Sequence, residues 1–286
     1  MLARTLALIC CLLTCSFAQA QPESVAILQA RAKNYLQAGD FDNAALVLRQ
    51  ALIQSPDDLE LNKDQVLAYT LKRDYARARE SVVTLCDRPN ADAICFQLAG
   101  NVFKALEEVK ECDQLYRKGI KKFPNSGPLY SEWGELLWSN KDGRAIVCWE
   151  DGIQLDPSYA GNYYNAALYY SKINEPVWAL LYAEIYINME SKSERGRNMK
   201  KILFEQYQSL LTKNKIPAFK KNEEFGKSVY QVLDSASGPA LRGLTNESLT
   251  MIRTRFILDW FAKYGTAYPY KLFEHQQQLL QNGLFE

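Results

Sequence analysis

The sequence predicts an all-α chain of stacked antiparallel helix hairpins, an α-solenoid, on three observations. Small residues recur with a near-constant period: Ala44, Ala78, Cys112, Ala145 and Ala179 lie 34, 34, 33 and 34 residues apart, each inside a stretch with apolar residues three and four apart. Prolines repeat with almost the same period, Pro56, Pro89, Pro124 and Pro157 being 33, 35 and 33 residues apart. Composition is the third: 48% hydrophobic and 23% charged residues, ten prolines in 286 residues and a mean hydropathy of −0.29 describe a soluble globular chain. Intrinsic disorder, a collagen-like chain and a multi-span membrane protein are excluded. Lys and Arg number 34 against 33 Asp and Glu, so no global basic field is available to gather nucleic acid.

The first element is an address. One positive charge in Met1 to Arg4, the apolar run Leu6 to Leu13 and the small residues of Ala18-Gln19-Ala20 predict a signal peptide over residues 1–20, cleaved after Ala20. The apolar run is well short of the roughly 20 residues that span a bilayer, so no transmembrane segment is expected after removal. An exported protein of the periplasm or extracytoplasmic envelope follows. Lipid attachment at Cys15 is the less favoured variant, because Thr14 is a poor residue immediately before the cysteine. Cys10, Cys11 and Cys15 belong to this leader, and Cys86, Cys95, Cys112 and Cys148 remain. Cys86 and Cys95 flank the loop Asp87 to Asp92, which a disulfide could staple in an oxidising compartment; equally, all four can be small buried thiols.

Next come the repeats. The clearest units read Phe96-x2-Ala99-Gly100-x2-Phe103, Cys112-x3-Tyr116, Pro124, and then Tyr130-x2-Trp133-Gly134-x2-Leu137, Ala145-x3-Trp149, Pro157. A first unit supplies Tyr35, Gly39-Asp40-Phe41, Ala44-x3-Leu48, Ala51 and Ser55-Pro56-Asp57-Asp58. The second (Tyr69, Asp74-Tyr75, Ala78-x3-Val82, Pro89) and fifth (Tyr163, Ala167, Tyr170, Ala179, Ala183, with Pro176 in the turn) are weaker. This resembles the tetratricopeptide repeat family in period and in the W-x2-L-G-x2-Y, A-x3-F, P pattern. About five units cover residues 25–192. The physical reason is packing: only Gly, Ala or Cys leaves room where two helix axes cross closely, aromatics fill the holes between hairpins, and proline ends each second helix.

After the array, Ser191-x-x-Glu194 reads as a capping box for a further helix, with Met199, Ile202, Leu203, Tyr207, Leu210 and Leu211 as its apolar stripe; residues 193–213 are a capping helix. Residues 214–286 form a small helical C-terminal region without the period, broken by Ile216-Pro217 and Gly238-Pro239. Helices are expected there at about 246–264 and 269–281, with Asn246 as an N-cap and Gly265 and Gly283 as C-caps. Phe285-Glu286 ends the sequence without a polar tail, as an interior point of a longer chain would.

The resemblance implies a right-handed superhelix whose first helices line a concave groove that holds an extended peptide or a partner helix. On this sequence the groove positions resemble Gln29 and Lys33; Lys63 and Leu67; Gln97, Asn101 and Lys104; Glu135 and Trp138; and Tyr164 and Leu168. The groove is polar and mildly basic at its start and aromatic at its end, suiting a protein partner with an acidic or amide-rich stretch followed by an apolar anchor. The Lys and Asn set of a chaperone-tail clamp is not matched, since Gln29 and Lys33 stand at its first pair. The expected function is therefore a non-catalytic exported scaffold or adaptor binding another protein.

No enzyme, metal or cofactor is expected. His275 is the single histidine, without a companion ligand at metal spacing, and Asp57-Asp58, Glu107-Glu108 and Glu223-Glu224 read as solvated turn or helix-end pairs. Arg195, Arg197, Lys200, Lys201, Lys213, Lys215, Lys220 and Lys221 form a basic stretch read chiefly as a solvated face. Trp260, Phe261, Tyr264, Tyr268, Tyr270 and Phe273 read chiefly as packing, but aromatic platforms of this kind support the alternative of glycan binding. Asn246-Glu247-Ser248 matches a glycosylation acceptor.

Overall fold

A computed structural model describes residues 23–212, 217 and 219–285. The leader expected over 1–20, with Cys10, Cys11 and Cys15, lies outside the described residues, as do Lys213 and Lys215. Among the described residues every regular element is helical. The chain divides into two compact units, one ending at Ala91 and one beginning at Asp92.

The first unit holds two hairpins, α1 (Val25–Ala38) with α2 (Phe41–Gln54) and α3 (Leu59–Leu71) with α4 (Tyr75–Asp87). Three aspartates start its helices: Asp40 accepts from the Asn43 N–H, Asp58 from Leu61 and Asp74 from Arg77. Arg88, just past α4, donates to the Pro56 carbonyl (3.1 Å) and pairs with Asp57 (3.3 Å), tying the end of one hairpin to the turn before it.

The second unit continues with α5 (Ala93–Ala105) and α6 (Val109–Lys122), α7 (Gly127–Ser139) and α8 (Ala145–Leu155), and α9 (Ala160–Lys172) and α10 (Pro176–Met189). Then come α11 (Glu194–Thr212), α12 (Glu223–Ser235), a 3-10 turn (Gly238–Arg242), α13 (Asn246–Lys263) and α14 (Lys271–Gln281).

All five hairpins turn in the same way. Gly39, Arg73, Glu107, Lys141 and Asn174 have φ of 76°, 63°, 59°, 60° and 60°, the left-handed conformation that ends a helix. The next residue, Asp40, Asp74, Glu108, Asp142 or Glu175, donates its N–H to the carbonyl five residues back at 2.9 Å in every case. This third periodic marker escaped the sequence reading because only Gly39 and Asn174 are residue types that signal such a turn.

The periodic small residues Ala44, Ala78, Cys112, Ala145 and Ala179 are all fully buried. Four residues after each stands Leu48, Val82, Tyr116, Trp149 or Ala183, equally buried; at the matching point of the first helix stand Ala32, Val66, Gly100, Gly134 and Ala167. Side-chain volume is exchanged between the two helices. Where the first has glycine, the second sets an aromatic ring on it: a Cβ at Gly100 would overlap the Tyr116 phenol and one at Gly134 the Trp149 indole. Where the first carries Ala or Val, the second carries an aliphatic residue. The closeness expected of these crossings is real, but the group occupying the space is a ring rather than backbone.

Helices α9 to α14 share one core, from Tyr163 and Ala166 through Trp178, Tyr186 and Tyr207 to Phe225, Ile252, Trp260 and Phe273. Helix α10 is buried on every face through most of its length, including Val177, Trp178, Leu180, Leu181 and Tyr182. Helix α12 was not foreseen, although Phe225, Val229, Val232 and Leu233 carry helical spacing and are buried. Two caps also move. The side chain of Ser193, not Ser191, accepts from the Gly196 N–H (3.0 Å) at the start of α11, and Thr245, not Asn246, caps α13 in a reciprocal box with Ser248. Gly283, with φ 69°, ends α14 as expected.

The Cys86 to Cys95 disulfide is not formed; both are buried thiols. Cys86 lies on the inner face of α4, whereas Cys95 sits in the first turn of α5, where its N–H (3.1 Å) and its Sγ (3.3 Å) both donate to the capping carboxylate of Asp92.

Two stability outcomes test this exchange of volume and these turns. Gly134→Ala should cost about 1–3 kcal/mol by overpacking, and Trp149→Ala about 3–5 kcal/mol. In the double variant the Gly134→Ala cost should vanish, which a urea double-mutant cycle measures. Lys141→Gly should raise stability by about 0.5–1 kcal/mol, since a non-glycine residue is held there in the left-handed region.

Candidate functional site

The first helices α7 and α9 lie side by side in the second unit, and between them opens a pocket of about 210 Å³. Helical spacing selects its walls: Glu135, Trp138 and Ser139 share a face of α7, and Asn165 and Leu168 share a face of α9. The floor is Trp149, the residue of α8 that covers Gly134. Trp138 meets Trp149 at 5.3 Å between ring centroids and stands edge-on to Tyr169 at 5.0 Å, with Lys172 Nζ 5.4 Å from its own ring. The indole N–H of Trp149 donates to the Ser131 carbonyl at 3.2 Å, so the floor is satisfied and rigid.

The rim is polar. Asn165 Nδ2 donates to Ser131 Oγ and Glu135 Oε1, both at 3.1 Å, which fixes the amide's orientation. Its Oδ1 accepts no hydrogen bond among the described residues. An apolar chamber thus has Asn165 and Glu135 in its lining, a combination suited to an apolar side chain with polar groups beside it.

Of the groove residues read from sequence, Glu135, Trp138 and Leu168 converge here. Tyr164 does not line the pocket: half-buried on α9, it packs on Tyr186 (5.1 Å) and lies beneath the Arg195 guanidinium (5.3 Å). On α5, Gln97 is half-buried, Asn101 is exposed and Lys104 is ion-paired with Glu132, which also accepts from Tyr116 Oη (3.3 Å). In the first unit Gln29 donates to Asp64 (3.2 Å), Lys33 is exposed and Leu67 half-buried. Lys63, on α3, is buried and paired with Glu60 at 2.5 Å.

Asn165, Ser139 and Trp149 were missed as site residues. Asn165 lies three residues before Leu168, so spacing alone could have found it; Trp149 was assigned to packing, and it both packs and forms the floor.

Other candidates resolve into structure. Trp260 and Phe273 are buried and Phe261, Tyr264, Tyr268 and Tyr270 half-buried or at the surface edge of that core, with Trp260 edge-on to Phe273 at 4.9 Å. His275 is exposed. Lys221 leaves the basic stretch: it pairs with Glu150 and sits over Tyr170, Trp178 and Tyr182, while Trp178 Nε1 donates to its carbonyl (2.9 Å) and Glu175 accepts from the Lys220 N–H (3.0 Å). Glu175 is thereby drawn from capping α10 to holding the segment before α12. No group of three or more His, Cys, Asp or Glu among the described residues is placed to hold a metal. No helix among them is long and apolar enough to cross a membrane.

Burial pushes the Cys112 thiol up to about 11 and the Cys148 thiol up to about 12, from an ordinary value of 9.0. Between those values the unfolded chain releases protons that the folded chain keeps, so stability falls as pH rises above about 9. Urea midpoints should drop over that range, and the Cys112→Ala, Cys148→Ala double variant should drop less.

No family model matches the sequence. Among solved structures, TTC0263, a TPR protein of Thermus thermophilus, superposes with a TM-score of 0.52 at 14% identity, over 63% of this chain and 99% of that one. A structure of pilF from Pseudomonas aeruginosa superposes with a TM-score of 0.51 at 15% identity, over 65% of this chain and 90% of that one. In sequence, 94 residues, 32% of this chain, are 35% identical to human Protein O-mannosyl-transferase TMTC3, and the match spans only 10% of that protein's length. The fold is the all-α helical repeat of tetratricopeptide proteins.

Proposed function

We propose that this protein is a non-catalytic interaction scaffold that captures a segment of another protein on its first-helix face, seating an apolar side chain in the pocket between α7 and α9. The observation that carries this reading is the pairing of an apolar chamber with polar side chains in its lining: Trp138, Trp149 and Leu168 enclose the space, and Asn165 and Glu135, hydrogen-bonded to each other, line it beside them. A rigid receptor of this kind orders the partner more than itself, which limits the entropic cost of capture. The leader expected from the sequence supports an exported compartment for this work, the periplasm or extracytoplasmic envelope.

A displayed peptide library selected on the purified protein tests the reading. Enriched peptides should share an apolar anchor, and Trp138→Ala and Leu168→Glu should weaken the best of them about tenfold or more, with helical circular dichroism unchanged. His275→Ala, at an exposed remote position, should bind normally. Absence of enrichment, or peptides indifferent to Trp138 and Leu168, removes the pocket from the account. Alkaline phosphatase fused to residues 1–30 should be active only if the leader exports it.

A further inference from the structure

A second cleft opens between α11 and α13, of about 410 Å³, inside the roughly 300–1,000 Å³ range of small-molecule sites. Its composition differs from that of the pocket on α7 and α9. Leu203 and Phe204 of α11 and Leu249 of α13 give it an apolar wall, and Phe204 is left exposed. Lys200 and Arg253 give it two cations, and no Asp or Glu among the described residues lines it.

The two cations are not equivalent. Arg253 Nε lies 3.2 Å from Glu184 Oε1, and Glu184 also accepts from Tyr207 Oη and Gln276 Nε2. The carboxylate therefore offsets the arginine charge, and the Phe285 ring lies 4.9 Å from the guanidinium carbon. Lys200 is exposed and makes no ion pair among the described residues, so one positive charge is in excess. The first turn of α13, at Asn246, adds its partial positive charge from the same side.

From this charge count and these walls we infer that the cleft binds a small amphiphilic carboxylate. The head group lies between Lys200 and Arg253, and the apolar body runs along Leu203, Phe204 and Leu249. One excess charge suits a monoanion, and burial of the apolar body supplies the affinity that one exposed ion pair does not. The site is independent of the peptide pocket and shares no residue with it.

Calorimetric titration of the full mature chain with decanoate tests the assignment, with decanol, inorganic phosphate and anionic phosphatidylglycerol vesicles as separate arms. Decanoate should bind, and decanol and phosphate should each bind at least about tenfold more weakly, because each lacks one half of the recognition. Lys200→Glu and Leu249→Glu should each lose about tenfold or more, whereas Lys201→Glu, the same charge change at an exposed neighbour outside the cleft, and Trp138→Ala should change affinity less than about twofold. Failure of decanoate to bind overturns the inference. So does an equal loss from Lys200→Glu and Lys201→Glu, or vesicle binding with no decanoate binding, since either assigns the effect to a diffuse basic surface.

Discussion

Within the third and fourth hairpins the two helices come close because the facing positions exchange side-chain volume. At Gly100 and Gly134 the first helix surrenders its side chain and the second fills the space with Tyr116 or Trp149. Glycine inside a helix costs about 1 kcal/mol relative to alanine, and burying a large ring against it returns more than that. The rest of the structure depends on this exchange. It sets the approach of the axes, and it lets hairpins with different residues keep one period and one turn.

The candidate pocket is a by-product of the same exchange. Trp149 is needed to cover Gly134, and its other side, pinned through Ser131, becomes the floor between α7 and α9. Ser131 also receives Asn165, so one residue holds both the apolar floor and the polar rim. Packing and recognition are here two uses of the same contacts, which is why Trp138, standing on Trp149 and Tyr169, can stay half-buried without a partner protein.

Periodicity made the helical hairpins legible, because steric closeness admits few residue types at positions such as Ala44, Ala78 and Ala145. The turns were less legible, since Arg73, Glu107 and Lys141 adopt a left-handed conformation that surrounding hydrogen bonds impose and residue type does not announce. Among site residues, those on a helical stripe, Glu135, Trp138 and Leu168, could be read from spacing. Register identifies a face but not a side chain's burial or partner, and the burial of Lys63 and its pairing with Glu60 were not legible. The Cys86 and Cys95 pairing failed for a similar reason: sequence proximity brings two cysteines near each other, while the cap of α5 decides where the Cys95 sulfur points.

The fifth hairpin shows why the chain does not stop where the period does. Helix α10 is buried on every face through most of its length, and a single outer helix with a polar back would leave part of it in water. Helix α11 covers one side. The segment carrying Lys220 and Lys221, held by Glu175, Glu150 and Trp178, then delivers α12 to another, and α13 and α14 close the core behind it. Glu184, buried on α10, is the polar test of this arrangement. A carboxylate there is tolerable only because Arg253, Tyr207 and Gln276 reach it from three different helices, so the last repeat and the helices after it fold as mutual conditions.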